Sequence, residues 1–442
     1  MICYNLLICG GLKKTEGIRS SIFIKEAMQK TTGISVLRGE RMSEKGGSGK
    51  NNVKGMTYKD AGVDINEGDT CSEIMFQVCR QTWENRKDLV GEVIVPNDNF
   101  SGIRFIRLDR LKEGTVMGGN VDGVGTKIEL AERTGHHRTI AYDLVAMVAE
   151  DAARDGGEPV LVFNILDVNS LDRDIVKEIA LGLMDAARDA NVAVMNGEIA
   201  ELGIRVGGYK STVPPKVQSI KARDMNYNWG AMCVWFGLEN RLIFGTDIRP
   251  GDSLVGIAEH GFRSNGISLP RKVFEKKWGY EWHLKERKVA EEFLAPSTLY
   301  TRALVAMTGG YSGEPQARVK GIAHITGGGI PGKLGRLLKR TEHESSRTEG
   351  KIITYGATIE SPQKPYPLMK QVQKWGNVSD EEAYKTWNMG PGVIIVTDDP
   401  SSIKRVAREF GFEPNIIGEV TRNPGVRIVS RGYYNPGKML RY

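Results

Sequence analysis

The sequence predicts the α/β class, layered in the α+β manner and divided into two domains. Three observations carry this. Apolar strand-like runs alternate with amphipathic helical stretches in both halves, which implies sheets covered by helices. The chain has 442 residues, too many for one simple core. Glycine-rich segments directly follow several apolar runs, where ligand loops of layered α/β folds lie.

Composition narrows the classes. Apolar content of 40% and charged content of 26% fit a globular domain protein. No apolar run reaches the roughly 18–20 residues of a membrane span. Of the net charge of +7, residues 1–55 carry ten Lys/Arg against four Glu, so the remainder is nearly balanced. A nucleic-acid-binding body would be basic, so neither nucleic acid nor membrane is an expected partner. Cys3, Cys9, Cys71, Cys79 and Cys233 form no metal or redox spacing, and an odd scattered set suits reduced thiols in the cytoplasm. His136-His137 reads as a solvated turn.

Residues 1–55 read as a disordered leader, or as a start assigned too early, with Met42 and Met56 as alternative starts. The first domain spans 56–244. A helix is expected over Glu73–Asn85, strands over Gly91–Pro96 and Ile103–Leu108, and a short strand over Val116–Gly119. Asn120-Val-Asp-Gly-Val-Gly-Thr-Lys127 follows as a loop. It gathers a carboxylate (Asp122), two glycines (Gly123, Gly125), a hydroxyl (Thr126) and an ammonium (Lys127). Such a set suits a magnesium–phosphate site, because glycines admit phosphates to the backbone and magnesium takes one or two carboxylates. It suits a plain Asp-Gly turn equally. The Asp143–Arg154 helix carries Asp143, Glu150 and Asp151. Positions 143 and 151 lie about 80° apart around it, so both can face one cavity. Pro159–Leu166 is a buried strand, Asp174–Ala190 an amphipathic helix, and Val192–Met195 a strand that ends in the loop Asn196–Glu201. Glu198 in that loop is either a ligand group or a glutamate in water. Trp229–Phe236 closes the domain.

The second domain spans 245–432, with 433–442 as a tail. Ser253–Ala258 is a strand, followed by the donor-rich loop Gly261–Leu269 with Ser264 and Asn265. A helix is expected from Leu294–Ser297 through Met307. Gly327-Gly328-Gly329 lies in a second glycine-rich loop, and Leu334–Leu338 begins the next helix. Val393–Thr397, Ser401–Phe410 and Asn415–Thr421 complete a strand, a helix and a strand. Three consecutive glycines are costly to order and suggest close backbone approach.

Taken in order, these motifs resemble the phosphoribosylformylglycinamidine cyclo-ligase (aminoimidazole ribonucleotide synthetase) family. The residues are Tyr58-Lys-Asp-Ala-Gly-Val-Asp64, Asp122–Lys127, Asp143–Met147, Ser264–Gly266 and His324–Gly329, with Gly376–Val378 and Asn388–Gly392 behind them. The resemblance implies a two-domain cyclo-ligase-like fold whose N-terminal domain binds ATP and pairs its sheet in a homodimer. It implies ATP-dependent ring closure of formylglycinamidine ribonucleotide. The formyl oxygen is phosphorylated, an amidine nitrogen attacks that carbon, and phosphate leaves. No protein nucleophile is needed, so the protein orients substrates and neutralises charge. On this reading Asp122, Asp151 and Glu198 hold Mg2+ or its waters. Lys127 and Lys59 neutralise phosphate, with Gly123, Gly125, Thr126 and Asp143 completing the nucleotide site. Ser264 and Asn265 serve nucleotide or substrate, and Gly327 and Gly328 contact substrate through the backbone.

The chain departs from the pattern at Val121 (often Thr), Glu150 (usually Asn), Ile199 (Thr in Gly-Glu-Thr-Ala) and Arg263 (commonly His). Two other readings stay open. One is another ATP-using member of the superfamily: a selenophosphate synthetase, which Cys71 outside any reactive motif disfavours, a thiamin-monophosphate kinase or a hydrogenase-maturation enzyme. The other is a non-catalytic nucleotide-binding dimer.

Overall fold

The computed structural model describes residue 56 and residues 64–96, 102–208, 225–342 and 351–442. The expected leader, Lys59 and Asn99–Ser101 lie outside the described residues.

Helix α1 (Ile65–Gln81) begins eight residues before the expected start, because the Asp64 carboxylate caps the amides of Asn66 and Glu67. Gly91–Pro96 and Ile103–Leu108 form only one bridge, Ile94 to Phe105, rather than two strands. Strand β1 (Thr115–Gly123) runs through the Asp122 motif instead of stopping before it. Helices α2 (Ile128–Thr134) and α3 (Ile140–Ala153) follow, then β2 (Glu158–Val168), α4 (Arg173–Ala190), β3 (Ala193–Glu201) and β4 (Tyr227–Leu238). The strands form one sheet in the order β1-β4-β2-β3, with β2 and β3 parallel and the other pairs antiparallel.

The second sheet arises from β5 (Ser253–Ala258) onward. Helices α5 (Ser268–Trp278), α6 (Trp282–Lys285), α7 (Arg287–Phe293) and α8 (Thr301–Thr308) precede β6 (Gly321–His324), α9 (Gly329–Leu337) and the hairpin β7 (Lys339–Glu342) to β8 (Lys351–Thr354). Next come β9 (Gly356–Ile359), α10 (Pro367–Gly376), α11 (Asp380–Thr386), β10 (Pro391–Thr397), α12 (Pro400–Glu409), β11 (Asn415–Thr421), β12 (Gly425–Val429) and β13 (Met439–Arg441). Seven strands pair as β13-β12-β9-β11-β5-β10-β6, of which only β12 and β9 are parallel. The fold is thus a two-domain mixed α/β arrangement with two mixed sheets. Residues 433–442 are not a free tail: β13 pairs with β12, and Leu440 is buried.

One face of the first sheet packs on α3 and α4 through Val162, Leu166, Trp229 and Cys233, against Leu144, Val148 and Leu183. On the other face Met117, Val121, Ile165 and Met232 remain 66, 77, 47 and 40% exposed. His137 is buried rather than solvated. Its Nδ1 lies 3.1 Å from the Tyr227 hydroxyl, and burial pushes it down to about 4.

Gly182 lets α4 press on the loop before α3, since a Cβ there would collide with the Arg138 carbonyl oxygen. Gly182→Ala is therefore expected to lower stability by about 1–3 kcal/mol in urea unfolding, despite its better helix propensity. An unchanged midpoint would show that this contact yields freely.

Candidate functional site at the domain interface

The acidic helix α3 does not aim its carboxylates at one cavity. Asp143 is fully buried near its first turn and Asp151 lies two turns on, beside the second domain. Lys127 is also fully buried. Its Nζ donates to Asp143 Oδ1 at 2.8 Å, to the Phe262 carbonyl at 2.8 Å and to the Ala295 carbonyl at 2.6 Å. All three ammonium protons thus have protein acceptors. Ser297 adds a hydrogen bond to Asp143 at 2.6 Å. In this geometry Lys127 and Asp143 tie the first domain to the second and do not face a phosphate.

A second buried set lies further along α3. Glu150 accepts from the Tyr300 amide at 2.5 Å and from Arg263 Nη2 at 2.7 Å. Arg263 Nη1 donates to Glu259 at 2.7 Å. Carboxylates hold residues 295–300 out of the helix, which is why α8 starts later than expected: Ser297, Thr298 and Tyr300 bind Asp143, Glu259 and Glu150 in turn. Burial pushes Glu150 upward, but Arg263, His324 and the Tyr300 amide together take it below the ordinary glutamate value.

Asp151 is the α3 acid that reaches solvent, with 25% of its side chain exposed. His324 Nδ1 lies 2.9 Å from it and Arg154 Nη1 3.1 Å. Burial works against its ionised form, yet His324 and Arg154 hold it below the usual aspartate value. Asp122 is exposed near the end of β1 and accepts from the Gly123 amide at 2.7 Å. Gly125 and Thr126 stand exposed beside it, Gly125 with φ of +67° opening the turn that ends at buried Lys127. Lys333 on α9 feels the charges of both Asp151 and Asp122, and burial lowers its basicity. Lys333 is therefore within electrostatic range of Asp151 and, more weakly, of Asp122. Sequence reasoning passed over Lys333, which carried no motif, and gave His324 no role, although it opens the glycine-rich motif.

Opposite them, α9 starts within the glycine loop itself rather than at Leu334. Gly327 and Gly328 are exposed, and Gly327 packs beside the Asn265 amide. Ser264 Oγ and Asn265 Oδ1 are buried with no hydrogen-bond partner among the described residues. Next to them a void of about 10 Å³ is lined by Arg263, Asn265, Thr326 and Asn388. Asn388 donates to the Gly261 carbonyl and Trp387 to that of Gly266, so this later motif braces the Ser264 loop. The Ser264 hydroxyl and the Asn265 NH2 group can donate beside exposed glycines at a helix N-terminus, which makes a polar cradle suited to an anionic group.

Glu198 is elsewhere. It lies within β3, not in a loop, and pairs with Ile165 on the open sheet face. Asp122 lies on the opposite edge strand and the helix-covered face, since its partner Ala231 is buried. Three strand spacings separate the two, roughly 14 Å. One chain therefore does not bring Asp122, Asp151 and Glu198 to a common ion, and no cluster of three metal-ligating side chains occurs among the described residues. Glu198 instead borders a cavity of about 560 Å³ with Phe76, Trp83, Arg104 and Asn196. Asp122 and Asp151 are the carboxylates of the expected set in this part of the chain that reach solvent, and Mg2+ needs only one or two beside phosphate and water.

If Lys127 is a buried clamp, Lys127→Met should cost about 3–5 kcal/mol, and pairing it with Asp143→Leu should recover much of that. A phosphate-binding lysine would instead leave unfolding unchanged while nucleotide affinity fell.

Comparisons with known proteins agree with this architecture. The family described as AIR synthase related protein matches in both parts, the N-terminal domain over residues 105–216 and the C-terminal domain over 249–431. The phosphoribosylformylglycinamidine cyclo-ligase of Methanocaldococcus jannaschii is 30% identical over 381 residues, covering 83% of this chain and 92% of that one. The cyclo-ligase of an Anaeromyxobacter species is 30% identical over 377 residues, covering 84 and 97%. Among solved structures, thiamine-monophosphate kinase from Stenotrophomonas maltophilia superposes with a TM-score of 0.52 at 10% identity, over 83% of this chain and 97% of that one, a likeness of fold alone. The chain belongs to the AIR synthase-related family.

Proposed function

We propose that the protein is an ATP-dependent cyclo-ligase that converts formylglycinamidine ribonucleotide to aminoimidazole ribonucleotide, releasing ADP and phosphate. The observation that carries this reading is the placing of Asn265 beside Gly327 and of His324, from the same glycine-rich segment, against Asp151, in a chain about 30% identical to cyclo-ligases over most of its length. Asp122 and Asp151 would hold Mg2+, which supplies charge neutralisation at the triphosphate. Ser264, Asn265 and the backbone of Gly327 and Gly328 orient the anionic substrate, and Lys333 adds positive charge. Gly123, Gly125 and Thr126 offer a close backbone approach for nucleotide phosphates. Phosphoryl transfer to the formyl oxygen and amidine attack then need positioning more than a protein nucleophile.

Glu198 fits this reading through a second copy. The open apolar face around Val121, Ile165 and Met232 suits a homodimer interface, since a soluble surface rarely exposes such a patch without use. Pairing through it would bring Glu198 and its cavity from one copy against the open face of the other copy's first sheet, whose edge strand β1 carries Asp122 at its end.

Incubation with Mg-ATP and formylglycinamidine ribonucleotide should give ADP and aminoimidazole ribonucleotide in equal amounts. ATP consumption without ring closure would assign another substrate, and absence of nucleotide binding would remove the enzymatic reading. Asp122→Asn and Glu198→Gln should each abolish most turnover. Co-refolded together, they should restore about a quarter of wild-type activity, because half the dimers would each keep one intact composite site. No recovery would confine both residues to sites within one chain.

A further inference from the structure

Two of the positions at which the chain leaves the cyclo-ligase pattern, Glu150 and Arg263, meet in the structure although 113 residues separate them. Their side chains are 0 and 2% exposed and joined at 2.7 Å. We propose that Arg263 is a positioning residue for the candidate site, with Glu150 and Glu259 as its counter-charges. The proposal uses the reading above only in taking Asp151, Ser264, Asn265 and the Gly327 loop as site groups.

The geometry is that of a hub. The Arg263 fork binds Glu259 through Nη1 and Glu150 through Nη2, and Nη2 also lies 2.8 Å from His324 Nε2. His324 passes the contact on to Asp151 through Nδ1. Each partner adjoins a site group in the chain. Arg263 precedes Ser264 and Asn265, Glu150 precedes Asp151, and His324 stands three residues before Gly327. One guanidinium thus fixes the stems of the two loops that build the cradle and the turn of α3 that carries Asp151. A planar fork can hold two carboxylates at set angles, which a lysine ammonium cannot do. Buried ion pairs add little net stability against a neutral replacement, but removing one partner leaves an uncompensated charge. Either position changed alone should therefore disturb the loops, and both changed together should disturb them less than Arg263 changed alone, with only Glu259 left without its cation.

Hydrogen exchange on the full-length protein tests this. In Glu150→Asn and in Arg263→His, the amides of Ser264–Gly266 and Gly327–Gly329 should exchange at least about tenfold faster, an opening easier by about 1.4 kcal/mol. The double variant should exchange more slowly than Arg263→His alone, while staying faster than wild type. Arg263→Lys, which keeps the charge and so the fold, should loosen the same loops. Unchanged exchange in the single variants and in Arg263→Lys, or a double variant as loose as Arg263→His, would overturn the proposal. Mg-ADP affinity measured by calorimetry should follow the same order. If wild type bound no Mg-ADP while the exchange pattern held, the cyclo-ligase reading would fail and the positioning role would stand.

Discussion

The structure depends on the way one helix, α3, buries charge against the other domain. An isolated carboxylate in a protein interior is costly, and its cost falls only when a cation and hydrogen bonds meet it at close range. Asp143 and Glu150 are both fully buried, and each finds its partners across or beside the domain boundary. The two domains therefore cannot slide past one another without stranding charge. This fixes the Gly261–Ser264 loop and the 295–300 segment against α3, and those elements shape the cradle.

The same constraint separates residues with similar chemistry into different jobs. Of the three acids on α3, two are internal ties and only Asp151 reaches solvent. Lys127 and Lys333 divide in the same way. Lys127 is surrounded by three protein oxygens, whereas Lys333 stands near the two accessible carboxylates. A motif can thus keep its residues together in the chain while the fold assigns half of them to support and half to contact.

Glu198 shows the complementary case. Its strand is at the far edge of the first sheet, so no side-chain movement within one chain joins it to Asp122. Its exposed apolar neighbours lie on the same open face, which links the question of catalysis to that of assembly.

Sequence alone determined the layered two-domain α/β plan, the strand and helix order around the motifs and the family, because periodicity and ordered motifs are local or collinear signals. It also pointed to Asn265 and the glycine loop, which the fold sets side by side, and to Asp151, which the fold sets against His324 of that loop's stem. Tertiary structure decided the rest. Strand lengths were set by cross-strand pairing: β3 runs to Glu201 because β2 continues beside it. Residues 433–442 were settled by an edge of the second sheet that no local pattern announces. That Lys127 is buried and Lys333 is not, and that Glu150 and Arg263 are one pair, follows from contacts across more than a hundred residues or between helices. Such contacts depend on where the domains meet, and spacing along the chain carries no record of that.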